Sequence, residues 1–275
     1  MDFDMAIIKS LRNAIAPLIT APLWVRAAAA TGAACLAAQP TFCADFSLDI
    51  GEGVSLEFVM AQSAGLLVGK HEVTNRQYKR FNRAHNSGAH FQHALDADDQ
   101  PAVNVSWEQA VEYCSWLNRR FEANLPAGME ARLPSEKEWE AFAACGRRSA
   151  FPWGDAWQPP KDWNYRGEEG IWPPLRIFPR QDAIRGHNDG HIATAPVEKS
   201  GSNRCGIFGV GGNVWEWCLD AAPQDETLRV IKGASWNNFR REHLRLDHHA
   251  FAPEQSGNDM TGFRVVLGAP AAEDK

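Results

Sequence analysis

The chain has 275 residues, enough for one large domain or two small ones, and its hydrophobic content of 44% and charged content of 23% are ordinary for a globular protein. A formal net charge of −6 provides no basic field, so nucleic acid is excluded as an expected partner. Eleven tryptophans are many for this length and promise an aromatic-rich core or a stacking surface.

The beginning of the chain differs from the rest. Lys9, Arg12 and Arg26 are the only cations before Asp45, and the apolar run AAAATGAACLAA leads into a small-residue zone ending at Ala44. This is the pattern of an export signal peptide over 1–44, followed by a single domain over 45–275 in the periplasm. Arg26 divides the apolar stretch, which falls short of the ~20 residues of a spanning helix. No integral membrane span is therefore expected after cleavage, an uncleaved anchor being the alternative. Export also changes the cysteines. Cys114, Cys145, Cys205 and Cys218 remain, an even number in an oxidising compartment, and three pairings are open. The same four also fit as small buried hydrophobes.

Residues 54–61 (VSLEFVMA) read as a strand. Thr74 and Gln77 form a capping box that opens a helix, and Ser106 with Gln109 opens a second, whose apolar face repeats at Trp107, Ala110, Val111, Cys114 and Leu117. Between them, 87–101 is a polar loop. A third helix starts at Ser135, with Glu138 completing its box, and ends at Gly146. From 151 to 202 the chain is rich in Pro, Gly and Trp and has no sustained period. A stretch this long needs something to hold it, and a bound cation or disulfides are the physical candidates. Short strands follow in VWEWCLD, LRVIKGASW and GFRVVL. Early capped helices with short late strands indicate an α+β class.

Within 232–251, Glu242, His243, Asp247, His248 and His249 crowd together. In an extended chain, alternation puts His243, Asp247 and His249 on one face and Glu242 and His248 on the other. Two imidazoles and a carboxylate suit iron, zinc or copper(II). The same residues also suit a single general acid or base, or a solvated surface.

KHEVTNRQYKRF, PAVNVSWEQAVEYCSWLN, ARLPSEKEWEAFA, FPWGD, CGIFGVGGNVWEWCLD, RVIKGASW and GFRVV stand in the order found in the formylglycine-generating enzymes, and the chain resembles that superfamily from about Val54 to Leu267. The resemblance implies an elaborated C-type-lectin-like fold with little regular secondary structure. It implies structural calcium, first at Asn164 and Asp189 by side chain with Tyr165 and His191 by carbonyl. A second site would use Gly212, Val214 and Glu216, but Gly209 stands where relatives supply an Asn or Asp. Cys114 and Cys145 match the family's structural cysteines, while their usual partners fall at Val265 and His248, so any disulfide is wired differently. Most telling, the two copper(I)-binding cysteines of the family map onto Asn238 and His243. No cysteine follows Cys218. An amide and an imidazole make no dithiolate site, which disfavours formylglycine generation by the family mechanism. The candidate catalytic residues become His243, Glu242, Asn238, Ser235 and Trp215, and a transition metal at His243, Asp247 and His249 is a further candidate. In character the chain is similar to the pyoverdine-maturation protein PvdO. That likeness implies a tailoring oxidation of a secreted peptide or peptide-siderophore precursor. The alternatives are a non-catalytic binding module, with Trp153, Trp157, Trp163 and Trp172 as a stacking surface, and formylglycine generation by a non-thiol site. Oligomeric state is left open.

Overall fold

A strand meander starts the domain: β1 (Phe46–Asp49), β2 (Ser55–Ala61) and β3 (Leu66–Gly69) pair antiparallel in sequence. The computed structural model describes residues 45–169 and 182–270; the leader expected over 1–44 and Trp172 lie outside them. The meander is completed from far along the chain by β11 (Val266–Gly268) and β6 (Glu130–Arg132), giving the order β1-β2-β3-β11-β6. A second sheet has β7 (Trp215–Ala222), β8 (Asp225–Lys232), β9 (His249–Pro253) and β10 (Thr261–Gly262) in the order β10-β7-β8-β9. The α+β class stands.

All three capping boxes form. Thr74, Ser106 and Ser135 start α1 (Asn75–Phe81), α2 (Trp107–Phe121) and α3 (Glu136–Ala144), each side chain accepting from the N3 backbone while the N3 side chain reaches back. Such caps are worth ~1 kcal/mol apiece. The third helix stops one residue earlier than Gly146 suggests: Cys145 is its left-handed cap, at φ 48°. Asn118 of α2 clamps β6 by donating to and accepting from the backbone of Ala131, at 2.9 and 2.7 Å. Tyr78, Tyr113 and Phe263 meet edge-on or tilted between the helices and the sheets, with centroids 5.4–5.9 Å apart.

The motif GFRVVL is not one strand. Gly262 pairs parallel with Glu216 in the second sheet, and Val266 pairs antiparallel with Val68 and Arg132 in the first. The chain changes sheets in between, and Arg264 at the change is fully buried. The polar stretch 87–101 also carries structure, a hairpin of β4 (Ala89–His90) and β5 (His93–Ala94). No helix of the described residues is long and apolar enough to cross a membrane.

Of the four tryptophans expected to form a stacking surface, Trp163 is core, at 2% exposure. Trp153 packs between Phe151 and Trp163, 4.9 and 5.1 Å from their rings. These two rings pack the irregular middle of the chain.

Candidate functional site

The segment leaving β8 begins at Lys232, whose ammonium is fully buried and lies 2.7 Å from Glu140 and 3.4 Å from Glu136. Gly233 follows at φ 95°, against the ring of Trp139, where a side chain would be crowded. The chain then folds back on itself. Asn238 Oδ1 accepts from the backbone N–H of Ser235 at 2.8 Å and from its hydroxyl at 2.9 Å. This leaves the amide Nδ2 of Asn238 facing Nδ1 of His243 at 3.3 Å. With Asn238 as donor, Nδ1 carries the lone pair and the proton sits on Nε2. The rings of His243 and His248 stack at 5.0 Å, and Trp215 lies 6.0 Å beyond His248. Burial depresses the pKa of His248, and the charge of His243 lowers it further. Asn238, His243, Ser235 and Trp215 are thus brought into one neighbourhood, with His248 as an added member. Glu242 is exposed on the intervening turn.

The candidate metal set is not assembled. Asp247 is gripped by Arg245 through two bonds of 2.7 and 2.6 Å, and His249 turns away to Glu136 at 2.7 Å. The expected alternation fails because 241–247 is a turn; the strand starts only at His249. His243 therefore meets His248, which alternation had assigned to the other face. Among the described residues, no group of three or more His, Cys, Asp or Glu side chains is arranged to hold a metal ion.

Behind this cluster lies the irregular segment around Asn164. Asn164 is fully buried; its Nδ2 donates to Ala193 at 2.9 Å and its carbonyl accepts from Asn213 at 2.8 Å. Its Oδ1 has no protein partner, nor has the buried Oδ2 of Asp189, whose other oxygen accepts from His191 at 2.8 Å. Burial pushes the Asp189 carboxyl up to about 8. Two oxygens without donors, on the side chains expected to bind calcium, fit a hard cation. Arg166 ties this segment to the cluster, binding the Asn237 side chain and donating its backbone N–H to Asn238 at 3.1 Å.

Of the second calcium set expected at Gly212, Val214 and Glu216, the Glu216 carboxylate is engaged by protein groups. Glu216 takes Arg264 at 2.5 and 3.1 Å and the indole N–H of Trp139 at 2.9 Å. Arg264 also donates to the carbonyls of Gly69 and Phe208, at 2.8 and 2.7 Å. Gly209, the position of the missing ligand, lies directly against the carboxylate of Glu72, which fills the space of a side chain. Glu72 accepts from Asn213 at 3.0 Å, and burial raises its carboxyl to about 7 against the pull of Arg264. A guanidinium thus stands as the cation for Glu216. The motif GFRVV shows an arginine, but nothing local in it names Glu216, 48 residues away, as the partner.

Of the four retained cysteines, Cys145 and Cys205 form a disulfide with Cα atoms 5.9 Å apart. Cys114 and Cys218 are free and buried, and burial pushes both thiols up. Neither is a ready thiolate.

Comparison with known proteins bears on family and fold. The family described as sulfatase-modifying factor enzyme 1-like domain matches residues 59–269. Inactive C-alpha-formylglycine-generating enzyme 2 of Bos taurus is 33% identical over 179 residues, covering 62% of this chain and 50% of that protein. The formylglycine-generating enzyme of Streptomyces coelicolor is 35% identical over 192 residues, covering 62% and 54%. The chain spans about half the length of these curated relatives. Among solved structures, Treponema denticola variable protein 1 superimposes with a TM-score of 0.57 at 20% identity, over 82% of this chain and 99% of that one. PvdO from Pseudomonas aeruginosa gives 0.52 at 20% identity, over 82% and 91%. These two likenesses establish fold.

Proposed function

Because the chain belongs to the sulfatase-modifying factor enzyme 1-like family, we propose that it is a thiol-free maturation factor, exported to the periplasm, that tailors a secreted peptide or peptide-siderophore precursor. The reaction class is oxidation, in which two hydrogens leave the peptide and dioxygen takes them up as hydrogen peroxide. The observation that carries this reading is the pair Asn238 and His243, held 3.3 Å apart at the positions where the family keeps its copper-binding thiols. His243 is placed to move a proton at Nε2. Asn238 fixes the tautomer, and Ser235 fixes Asn238. Trp215, itself buried, backs the half-exposed ring of His248. The likeness in fold to PvdO supports the substrate class, and the buried state of Cys114 and Cys218 argues against a displaced thiol site.

Under the same reading, Asn164 and Asp189 hold a structural calcium with the carbonyls of Tyr165 and His191. The ion would supply charge for their unpartnered oxygens and brace the segment that Arg166 joins to the cluster.

The test is incubation of the chain with a peptide-siderophore precursor under dioxygen, followed by mass spectrometry. A product lighter by two hydrogens is expected, formed ~100-fold or more slowly by His243→Ala, the scale of a lost general acid or base. Full activity in both His243→Ala and Asn238→Ala would remove the assignment. A sulfatase-type CxPxR peptide is expected to yield no aldehyde.

One observation favours a second reading, a binding module without chemistry. A cavity of about 300 Å³, lined by His71, Arg76, Asp98, Val197, Glu198 and Lys199, shares no residue with the cluster. A peptide bound unchanged, with no product under dioxygen, would select it.

A further inference from the structure

The hairpin β4–β5 carries groups that the proposed function does not use. His90 and His93 are direct cross-strand partners on either side of its two-residue turn. Opposite residues of an antiparallel pair share a face, with Cβ atoms ~4.5–5.5 Å apart. Nδ1 of His90 lies 2.7 Å from Oδ2 of Asp259, so the carboxylate accepts the Nδ1 proton and Nε2 keeps its lone pair. That Nε2 is buried and has no protein partner, and the same is true of Nε2 of His93. A buried polar atom left unpaired costs ~1–3 kcal/mol, and here two occur on facing side chains.

The surroundings fix the imidazole of His90 in place. Its ring packs on Trp236 at 4.5 Å, and the Trp236 indole donates to the carbonyl of Asp259 at 3.1 Å. The base of the hairpin is anchored by Ser87, fully buried, whose hydroxyl donates to Asn75 at 2.6 Å. At the tip, Phe91 is 72% exposed.

We propose that His90 and His93 bind one borderline transition-metal ion, of the zinc or copper(II) class, through their Nε2 atoms. Imidazole nitrogen suits these ions, and a carboxylate on the far nitrogen of a histidine is the arrangement that orients the ring and strengthens it as a ligand. Two protein ligands leave the remaining positions to solvent or to a donor atom from a bound molecule, beside the exposed ring of Phe91. The site is distinct from the calcium positions, whose donors are oxygens, and from His243. It does not depend on the oxidation reading, since uptake is measured without substrate.

The experiment uses the full chain without a histidine tag, stripped with chelator and returned to calcium-containing buffer. Titration with zinc chloride, followed by calorimetry, is expected to show one equivalent bound per chain. Asp259→Asn is expected to weaken uptake ~10–100-fold. The double substitution of His90→Gln and His93→Gln is expected to abolish it, whereas His249→Ala, outside the hairpin, leaves it intact. Circular dichroism confirms that each variant is folded. In the native chain, bound copper(II) is expected to show spin coupling to two imidazole nitrogens. Absence of zinc uptake by the native chain, or uptake and nitrogen coupling undiminished in the double variant, overturns the proposal.

Discussion

His71 illustrates how one side chain sets a pH response. Its side chain is 13% exposed, and burial first, then the charges of Arg264 and Lys70, lower its pKa from 6.5 to about 4. The folded chain therefore holds it neutral while the unfolded chain takes a proton. Its contribution to stability is complete above about 6.5 and is lost as pH falls toward about 4. The loss amounts to roughly 3 kcal/mol at most, at 1.36 kcal/mol per unit. Urea unfolding of the native chain and His71→Phe at both ends of that window measures it. The variant is expected to lose less stability on acidification; equal slopes would exclude His71 as the source. Legibility at this scale was mixed. Asn238 and His243 were found because they occupy motif positions close in sequence, and the structure brings them together. The fates of Asp247 and His249 were hidden, because they depend on Arg245 claiming one and a glutamate more than a hundred residues away claiming the other.

Among the elements, the three capped helices were readable from sequence because a capping box is local chemistry, complete within four residues. Strand pairing is not local. β3 and β6 were missed, and GFRVVL read as one strand because its apolar run shows no sign of the change of sheet. Arg264 sits at that change, and its removal leaves Glu216 and Glu72 as buried carboxylates beside each other without a cation. Arg264→Leu is expected to cost about 3–5 kcal/mol, the scale of a broken buried ion pair. Denaturant midpoints at unchanged slope read the loss directly. A change under about 1 kcal/mol, the value of an exposed pair, would show that the cluster is not under that strain.

For the molecule as a whole, the irregular middle is the part that ordinary secondary structure does not hold. The Cys145–Cys205 bridge closes a loop of 60 residues across it, worth about 4 kcal/mol in the chain-entropy estimate. Cys145→Ala with Cys205→Ala is expected to lower the thermal midpoint accordingly, and a midpoint unmoved by reductant would deny the bridge any role. Calcium is the second expected fastener. Chelation should lower the midpoint of the native chain and leave Asp189→Ala, already lowered, unmoved. An equal response in both would place the ion elsewhere. The long run without a period implies some fastener there, and resemblance names residues for calcium; the partner of Cys145 is settled only by the fold, since four cysteines leave three choices.

The passage of residues 261–268 from one sheet to the other burdens the two layers unequally. Without 261–268 the first sheet loses β11, which stands between β3 and β6, whereas the second keeps β7, β8 and β9 and loses only its edge strand β10. Loss of that stretch would therefore split the first layer and only trim the second.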